Sequence, residues 1–393
     1  MNRKIIIKLN IQILSHLCLY LFFAMTAVIF LYEFNSTMFN LRYGFMAIGA
    51  LCGYYFCFRS HYRMYGLPLL SVVLLLCWTL CFVYEPEYQN YTFGNVAYTL
   101  IYIGLSTILL QNKYSHKMTL ILYAFTSLTI IVKLIQNVNV NHIMLATSRN
   151  YISVLLLLPM MFYYISCHDK NKPFSVFPVI SFFFIGIFSL GRGGVASAGY
   201  LTVALCIYKV MHINNKRQKL IIWMIIVLTT MLAIIYISGL DSLVFGQFLN
   251  ANFSRFVQKG VTDEARLYYW SSFLENNKQS FLTFLFGSDV HLIRSDGNLH
   301  NSFLQSYAAF GIVGFLIIIG LSIRSMFMSI RKKDYLYLIL FIGLAIRAFT
   351  DVIFFQGYCE IFLYYFLFYW DFKKKTNTLE RSDELRSQPL LTN

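Results

Sequence analysis

Runs of predominantly apolar residues about as long as a bilayer-crossing helix requires, roughly 20, recur along this chain from one end to the other. That pattern narrows the fold sharply. In hydrocarbon there is no water for backbone N–H and C=O groups, so segments of this length must satisfy them internally as helices. Composition agrees: 58% of the 393 residues are hydrophobic and only 12% are charged, about half the charged share of a soluble domain. The expected fold is all-α, a polytopic integral membrane protein forming one membrane domain over residues 1–393.

The formal net charge of +15 raises the possibility of nucleic acid, but in a membrane chain the placement of the cations comes first. About twelve crossings can be read. They run approximately Ile11 to Tyr32, Tyr43 to Phe58, Leu67 to Tyr84, Val96 to Leu110, a fifth ending near Ile135, Tyr151 to Cys167, Ser175 to Leu190, Val195 to Val210, Leu220 to Ile237, Phe303 to Ile323, Tyr335 to Ala348 and Val352 to Trp370. Every second connection is basic: Arg59 and Arg63, Lys113 and Lys117, Lys170 and Lys172, then Lys209 to Lys219, Arg324 to Lys333, and the tail from Lys373. Together with the N-terminus they hold 22 of the 32 Lys and Arg residues. The positive-inside rule then puts both termini in the cytoplasm and the long polar interval from Leu240 to Leu299 on the outer face.

Other features say less. All eight cysteines fall inside apolar segments, with no CxxC or Cys/His ligand spacing, so neither a disulfide framework nor structural zinc is expected. Met1-Asn2-Arg3-Lys4 begins like a signal peptide, yet the apolar run after it is long and lacks a small-residue cleavage site, and it reads as a first membrane helix that stays. Residues 376–393 are polar and are expected to be a disordered cytoplasmic tail. No solenoid period and no inverted repeat is visible.

The outer loop, residues 240–302, has internal signals of its own. Thr262-Asp263-Glu264-Ala265 is a helix start, with a capping hydroxyl followed by acids where the helix dipole favours them. The continuation places Arg266, Trp270 and Phe273 along one side, and Asn276-Asn277 ends the helix. Such a helix lies on the membrane face with its aromatic residues at the interface. Phe281 to Phe286 is apolar but too short to cross, which suggests a buried or re-entrant segment. Gly287 and Gly297 bracket a polar turn that brings His300 to the mouth of the tenth crossing.

In this order, the Arg266-x-x-x-Trp270 helix, the apolar stretch ending in Gly287, Leu299-His300-Asn301-Ser302-Phe303-Leu304 and Gly311-Ile312-Val313-Gly314 resemble the O-antigen ligase and O-antigen polymerase family. Leu190-Gly191-Arg192-Gly193-Gly194 looks like that family's small-residue and arginine turn, usually written Ser-Arg-Gly, with Gly191 here in place of the serine. The resemblance covers about Thr147 to Tyr358; the first third of the chain supports it only through hydropathy.

The resemblance implies a metal-independent, cofactor-free, inverting membrane glycosyltransferase in the bacterial inner membrane. Such an enzyme moves a glycan from undecaprenyl diphosphate to an acceptor hydroxyl at the periplasmic face. By matching position His300 is the general base, and Arg192 and Arg266 bind the diphosphate. The roles suit the residue types: the planar guanidinium binds phosphate oxygens in pairs, and neutral His takes a proton near neutral pH. Arg149, Arg255, Arg294, Arg347 and Asn301 are further candidates for substrate contact, a surface or ion-pair role being the competitor for each of the arginines. The implied partners are lipid-linked oligosaccharides as donor and acceptor, the bilayer, and room for a chain-length regulator; nucleic acid is not among them.

Each assignment has a plain structural competitor. Arg192 between glycines can be an interfacial anchor, Arg266 can pair with Glu264 or Asp263, and His300 can cap the tenth crossing. His291 reads as a surface residue, and Asp351, four residues after Arg347, as that arginine's partner. Glu360 is an intramembrane acid whose partner the sequence does not name. Three functions remain open: a polymerase extending a lipid-linked repeat unit, favoured here; a ligase delivering the same glycan to lipid A-core; and a flippase, disfavoured because intramembrane charges are few.

Overall fold

The computed structural model describes residues 3–31, 36–59, 65–84, 93–136, 143–144, 150–188, 192–238, 264–294, 297–355 and 357–387. Among them every regular element is helical. Nine helices precede the long loop: α1 (Arg3–Leu31), α2 (Ser36–Arg59), α3 (Gly66–Tyr84), α4 (Phe93–Gln111), α5 (His116–Ile135), α6 (Tyr151–Asp169), α7 (Phe177–Phe188), α8 (Arg192–His212) and α9 (Lys216–Ser238). After it come α10 (Glu264–Asn277), α11 (Phe281–Phe286), a 3₁₀ turn at Val290–Leu292, α12 (Ser302–Arg331), α13 (Tyr335–Thr350) and α14 (Glu360–Ser387).

Six helices are long and apolar enough to cross a membrane, within α1, α3, α5, α6, α8 and α12, and shorter apolar helices lie at Val96–Gln111, Phe177–Ile187 and Tyr335–Thr350. This is a helical membrane protein. The full count of twelve crossings rests on the sequence. Two boundaries differ from the hydropathy reading. The twelfth apolar run does not begin as helix: Val352 to Phe355 is buried irregular backbone, and α14 starts only at Glu360. The backbone of α14 then stays helical to Ser387, into the stretch the sequence leaves without structure.

Burial follows from how each helix is patterned. In α6 every residue from Ile152 to Cys167 is buried, and so is every residue of α14 from Glu360 to Trp370. A helix apolar all round belongs at the centre of a bundle, and these two form its axis. By contrast α3 and α5 bury one face and leave Leu69, Leu76, Leu80 and Val83, or Ile121, Phe125 and Leu128, exposed, which suits contact with lipid. Helices in a membrane come closest where side chains are small. At Gly53 of α2 an added methyl would sit 1.9 Å from the Gly104 carbonyl oxygen of α4, so these backbones touch.

Two departures from helix shape the end of the bundle that carries α10. Inside α12, Gly311 has φ 65° and ψ −176°, so Ser302–Arg331 is two helices joined at a kink. The glycine is required there twice over, by its left-handed φ and by a Leu285 carbonyl oxygen 2.5 Å from where a Cβ would be. The second departure, residues 351–355, packs beside it through a Phe310–Phe355 edge contact at 5.6 Å. Irregular backbone at such depth is tolerated only inside protein, and both stretches are buried.

Candidate active site

The end of α13 is where two of the candidate residues, Arg266 and His300, meet. Arg347 is 1% exposed and fully engaged there: Nε donates to Ser153 Oγ at 3.2 Å, Nη2 to the Asn150 carbonyl at 3.1 Å, and Nη1 to Thr350 Oγ1 at 3.3 Å. Nη2 also pairs with Asp351 Oδ2 at 3.1 Å. The reading of Asp351 as that arginine's partner therefore describes one half of its contacts. The other carboxylate oxygen, Oδ1, lies 3.2 Å from His300 Nδ1. Burial would raise the Asp351 carboxyl, but Arg347 and His300 beside it hold it well below the usual carboxylate range, so it is an anion at neutral pH.

His300 is set up locally. Its φ of 51° is rare for a residue with a side chain, and the turn is held by its N–H, which donates to Asn298 Oδ1 at 2.8 Å. The next residue supplies the helix cap: Asn301 Oδ1 accepts from Phe303 N at 2.9 Å and Leu304 N at 3.1 Å. That resolves one competitor, since Asn301 and not His300 caps α12, and it commits the Asn301 carbonyl to backbone. Ser302, first in the helix, donates to the Asp351 carbonyl at 2.8 Å and accepts from Ile353 N at 2.8 Å and Phe354 N at 3.2 Å. One hydroxyl thus ties the start of α12 to the segment bearing Asp351. Among the described residues no hydrogen bond falls on His300 Nε2, and the ring is partly open, at 18% exposure.

Arg266 reaches the same corner from α10, donating from Nη1 to the Thr350 carbonyl at 2.7 Å. A cation on the last carbonyls of a helix is favoured by the dipole. Two further contacts fix α10: Trp270 Nε1 donates to the Leu299 carbonyl at 2.7 Å, with its ring edge-on to Phe349 at 5.3 Å. Phe273 is buried in a small core with Val290, Leu299, Tyr307 and Ala308. Arg266, Trp270 and Phe273 therefore do share the side of α10 that faces the bundle.

Arg192 opens α8, and its side chain lies outside the described residues. The two glycines after it locate the turn. A methyl on Gly193 would be 2.2 Å from Thr350 Oγ1, and one on Gly194 would be 2.5 Å from Ser153 Cβ. The glycine pair lets α8 press against the residue that receives Arg266 and the residue that receives Arg347. Arg294 has its guanidinium 5.3 Å from the centre of the Tyr269 ring on α10; Arg149 and Arg255 lie outside the described residues. His291, read as a surface residue, packs its ring over Gly297.

Glu360 acquires partners too. Fully buried, it accepts from Thr99 Oγ1 at 2.8 Å, Tyr364 OH at 2.9 Å and Phe355 N at 3.0 Å. Phe355 itself has a left-handed φ of 55°. Ser302 grips one end of the 351–355 segment and Glu360 the other. Sequence reasoning missed what Ser302, Thr350 and Ser153 do, because their roles depend on contacts between residues far apart in the chain; only the Arg347–Asp351 spacing was a local signal.

The corner can therefore orient an imidazole through a buried carboxylate and present at least one guanidinium beside it. Among the described residues no cluster of His, Cys, Asp or Glu suits a metal ion. The fold and this corner define a helical membrane protein with a polar site built where its loop re-enters the bundle. No family model, no curated protein and no solved structure matches the chain.

Proposed function

We propose that the chain is a membrane glycosyltransferase acting on polyprenyl-diphosphate-linked glycans, and within that class an O-antigen polymerase of the bacterial inner membrane. The observation that carries the reading is convergence: Arg266 and His300, on separate elements, hydrogen-bond to the consecutive residues Thr350 and Asp351. The glycines after Arg192 pack on Thr350 and Ser153. These are the residue types, from the motifs of the resemblance, that glycosyl transfer from a diphosphate needs.

In the proposed reaction an acceptor sugar hydroxyl attacks the anomeric carbon of the donor. The new glycosidic bond forms as the carbon–oxygen bond to diphosphate breaks, and the bonding pair leaves on the phosphate oxygen. His300 Nε2 takes the hydroxyl proton, its ring held by Asp351 through Nδ1, an arrangement with the logic of a histidine oriented by a buried carboxylate. Arg266 and Arg192 stabilise the growing charge on the leaving diphosphate. Arg347 keeps Asp351 ionised and buried.

Purified protein given synthetic polyprenyl-diphosphate repeat units should lengthen them without nucleotide sugar. His300→Ala should cost about 10²-fold or more, the usual worth of a positioned general base. If His300→Ala and Arg266→Ala both polymerise at the wild-type rate, the mechanism is wrong. A gel of surface lipopolysaccharide separates the two glycosyltransferase readings, because loss of a polymerase leaves core with one repeat and loss of a ligase leaves bare core.

A further inference from the structure

Helix α11 presents a problem that the corner does not explain. Its outward residues Phe281, Leu282 and Phe284 are 73%, 46% and 46% exposed, although the segment lies in the longest polar interval of the chain. A six-residue helix has little stability of its own in water. Much of its backbone polarity is nevertheless met. Ser280 and Thr283 form a capping box, with Thr283 N donating to Ser280 Oγ at 3.0 Å and Ser280 N to Thr283 Oγ1 at 3.1 Å. Phe284 N donates to the Ser280 carbonyl and Gly287 N to the Thr283 carbonyl, while the Phe284 carbonyl accepts from Tyr307 OH at 2.5 Å.

A short helix with much of its backbone paired and its apolar side chains turned outward suits hydrocarbon better than water. Its surroundings point the same way. Phe286 packs on Tyr84 at the end of α3, with ring centres 4.8 Å apart, and Leu285 lies against the Gly311 kink beside Cys81. The neighbouring exposed residues are Leu80, Phe82 and Val83 of α3 and Val313 and Leu316 of α12. The outward face of α11 continues that apolar belt. The exposed side of the neighbouring α10 is mixed, with Ser271 and Glu275 standing among Leu267, Tyr268 and Leu274, whereas α11 turns only apolar side chains outward.

We propose that α11 is a re-entrant foot seated in the acyl region of the bilayer leaflet on the loop side, with phospholipid as the partner of Phe281, Leu282 and Phe284. The foot also bears on depth: it lies beside Cys81 and Tyr84 at the end of α3, and the nine residues of helix from the Gly311 kink back to Ser302, about 14 Å, carry His300 outward from it.

The test uses the full chain in phospholipid nanodiscs, where the eight native cysteines are all buried. Phe281→Cys and Leu282→Cys, each labelled with an environment-sensitive fluorophore, should lose most of their emission to lipids carrying a nitroxide on the acyl chain and little to aqueous iodide. Ser271→Cys on α10 should show the reverse, and Val83→Cys marks the lipid-facing limit. Quenching of both α11 labels by iodide would overturn the proposal. So would crosslinking of either cysteine to a second copy of the chain with no lipid quenching. Phe281 is 73% exposed, so Phe281→Cys removes little packing, and the readout does not depend on any catalytic activity.

Discussion

At the scale of single residues the weight falls on Asp351. It lies between a cation committed to structure and an imidazole open to one side, and each depends on it. Replacing it by Asn leaves the Arg347 guanidinium buried without its counter-charge, and breaking a buried pair of this kind costs about 3–5 kcal/mol. Asp351→Asn should therefore lower the thermal midpoint of the detergent-solubilised protein, measured by scanning fluorimetry, more than His300→Ala does. The pH dependence has a definite sign. Because the folded carboxyl is held down, its stabilising contribution is complete above the unfolded value of about 3.9 and is lost as pH falls through and below it. Between pH 8 and 5 the wild-type midpoint should be insensitive to this group; the additional loss on acidification below about pH 4 should be smaller in Asp351→Asn. An equal acid loss in both proteins would remove Asp351 as its source.

At the scale of elements, the site depends on how closely α8 approaches α13 and on how the 351–355 segment is gripped. Gly193→Ala drives a methyl into Thr350 Oγ1 and Cβ, a β-branched side chain on a helix with little freedom to turn away. Overpacking of this sort costs about 1–3 kcal/mol, and it pushes on the residue whose carbonyl holds Arg266. The variant should lose transfer activity in proportion larger than its fall in stability; the purified-component assay and a melting curve on the same preparation check this. Glu360→Ala removes the acceptor of three buried donors at once, at about 1–3 kcal/mol for each group left unsatisfied. If Glu360→Ala melts like wild type, the grip on Phe355 is not what holds the segment. Much of this level was visible beforehand in pieces: the Arg266, Trp270 and Phe273 face of α10, and the glycine turn before α8. The reason for the second glycine was not, because Ser153 and Gly194 are 41 residues apart and nothing local links them.

At the scale of the whole molecule, the bundle is organised by which helices are apolar all round and which on one side, with α6 and the first turns of α14 at the centre and α3 and α5 outside. The cation distribution gives an expected orientation. Cysteines introduced at Ser271 and at Lys332 should be reached by an impermeant thiol reagent from opposite faces of sealed vesicles, with Lys332 on the cytoplasmic face as the cation distribution requires. Labelling of both from one face would overturn the topology, and with it the periplasmic placement of the corner.

The sequence by itself determined that this chain lives in a membrane as helices, because hydrocarbon admits long apolar segments only with their backbone satisfied internally. It also located the polar interval and the residues whose chemistry stands out against so apolar a background. Only the tertiary structure decided that Arg266 and His300 share one corner, that Asn301 and not His300 is the cap, that Asp351 serves two partners, and that the apolar run from Val352 begins as irregular backbone. The physical reason is range. Hydropathy and helix signals act over one or two turns, whereas a buried carboxylate, a glycine contact or a re-entrant foot is defined by atoms that meet only after distant helices have packed.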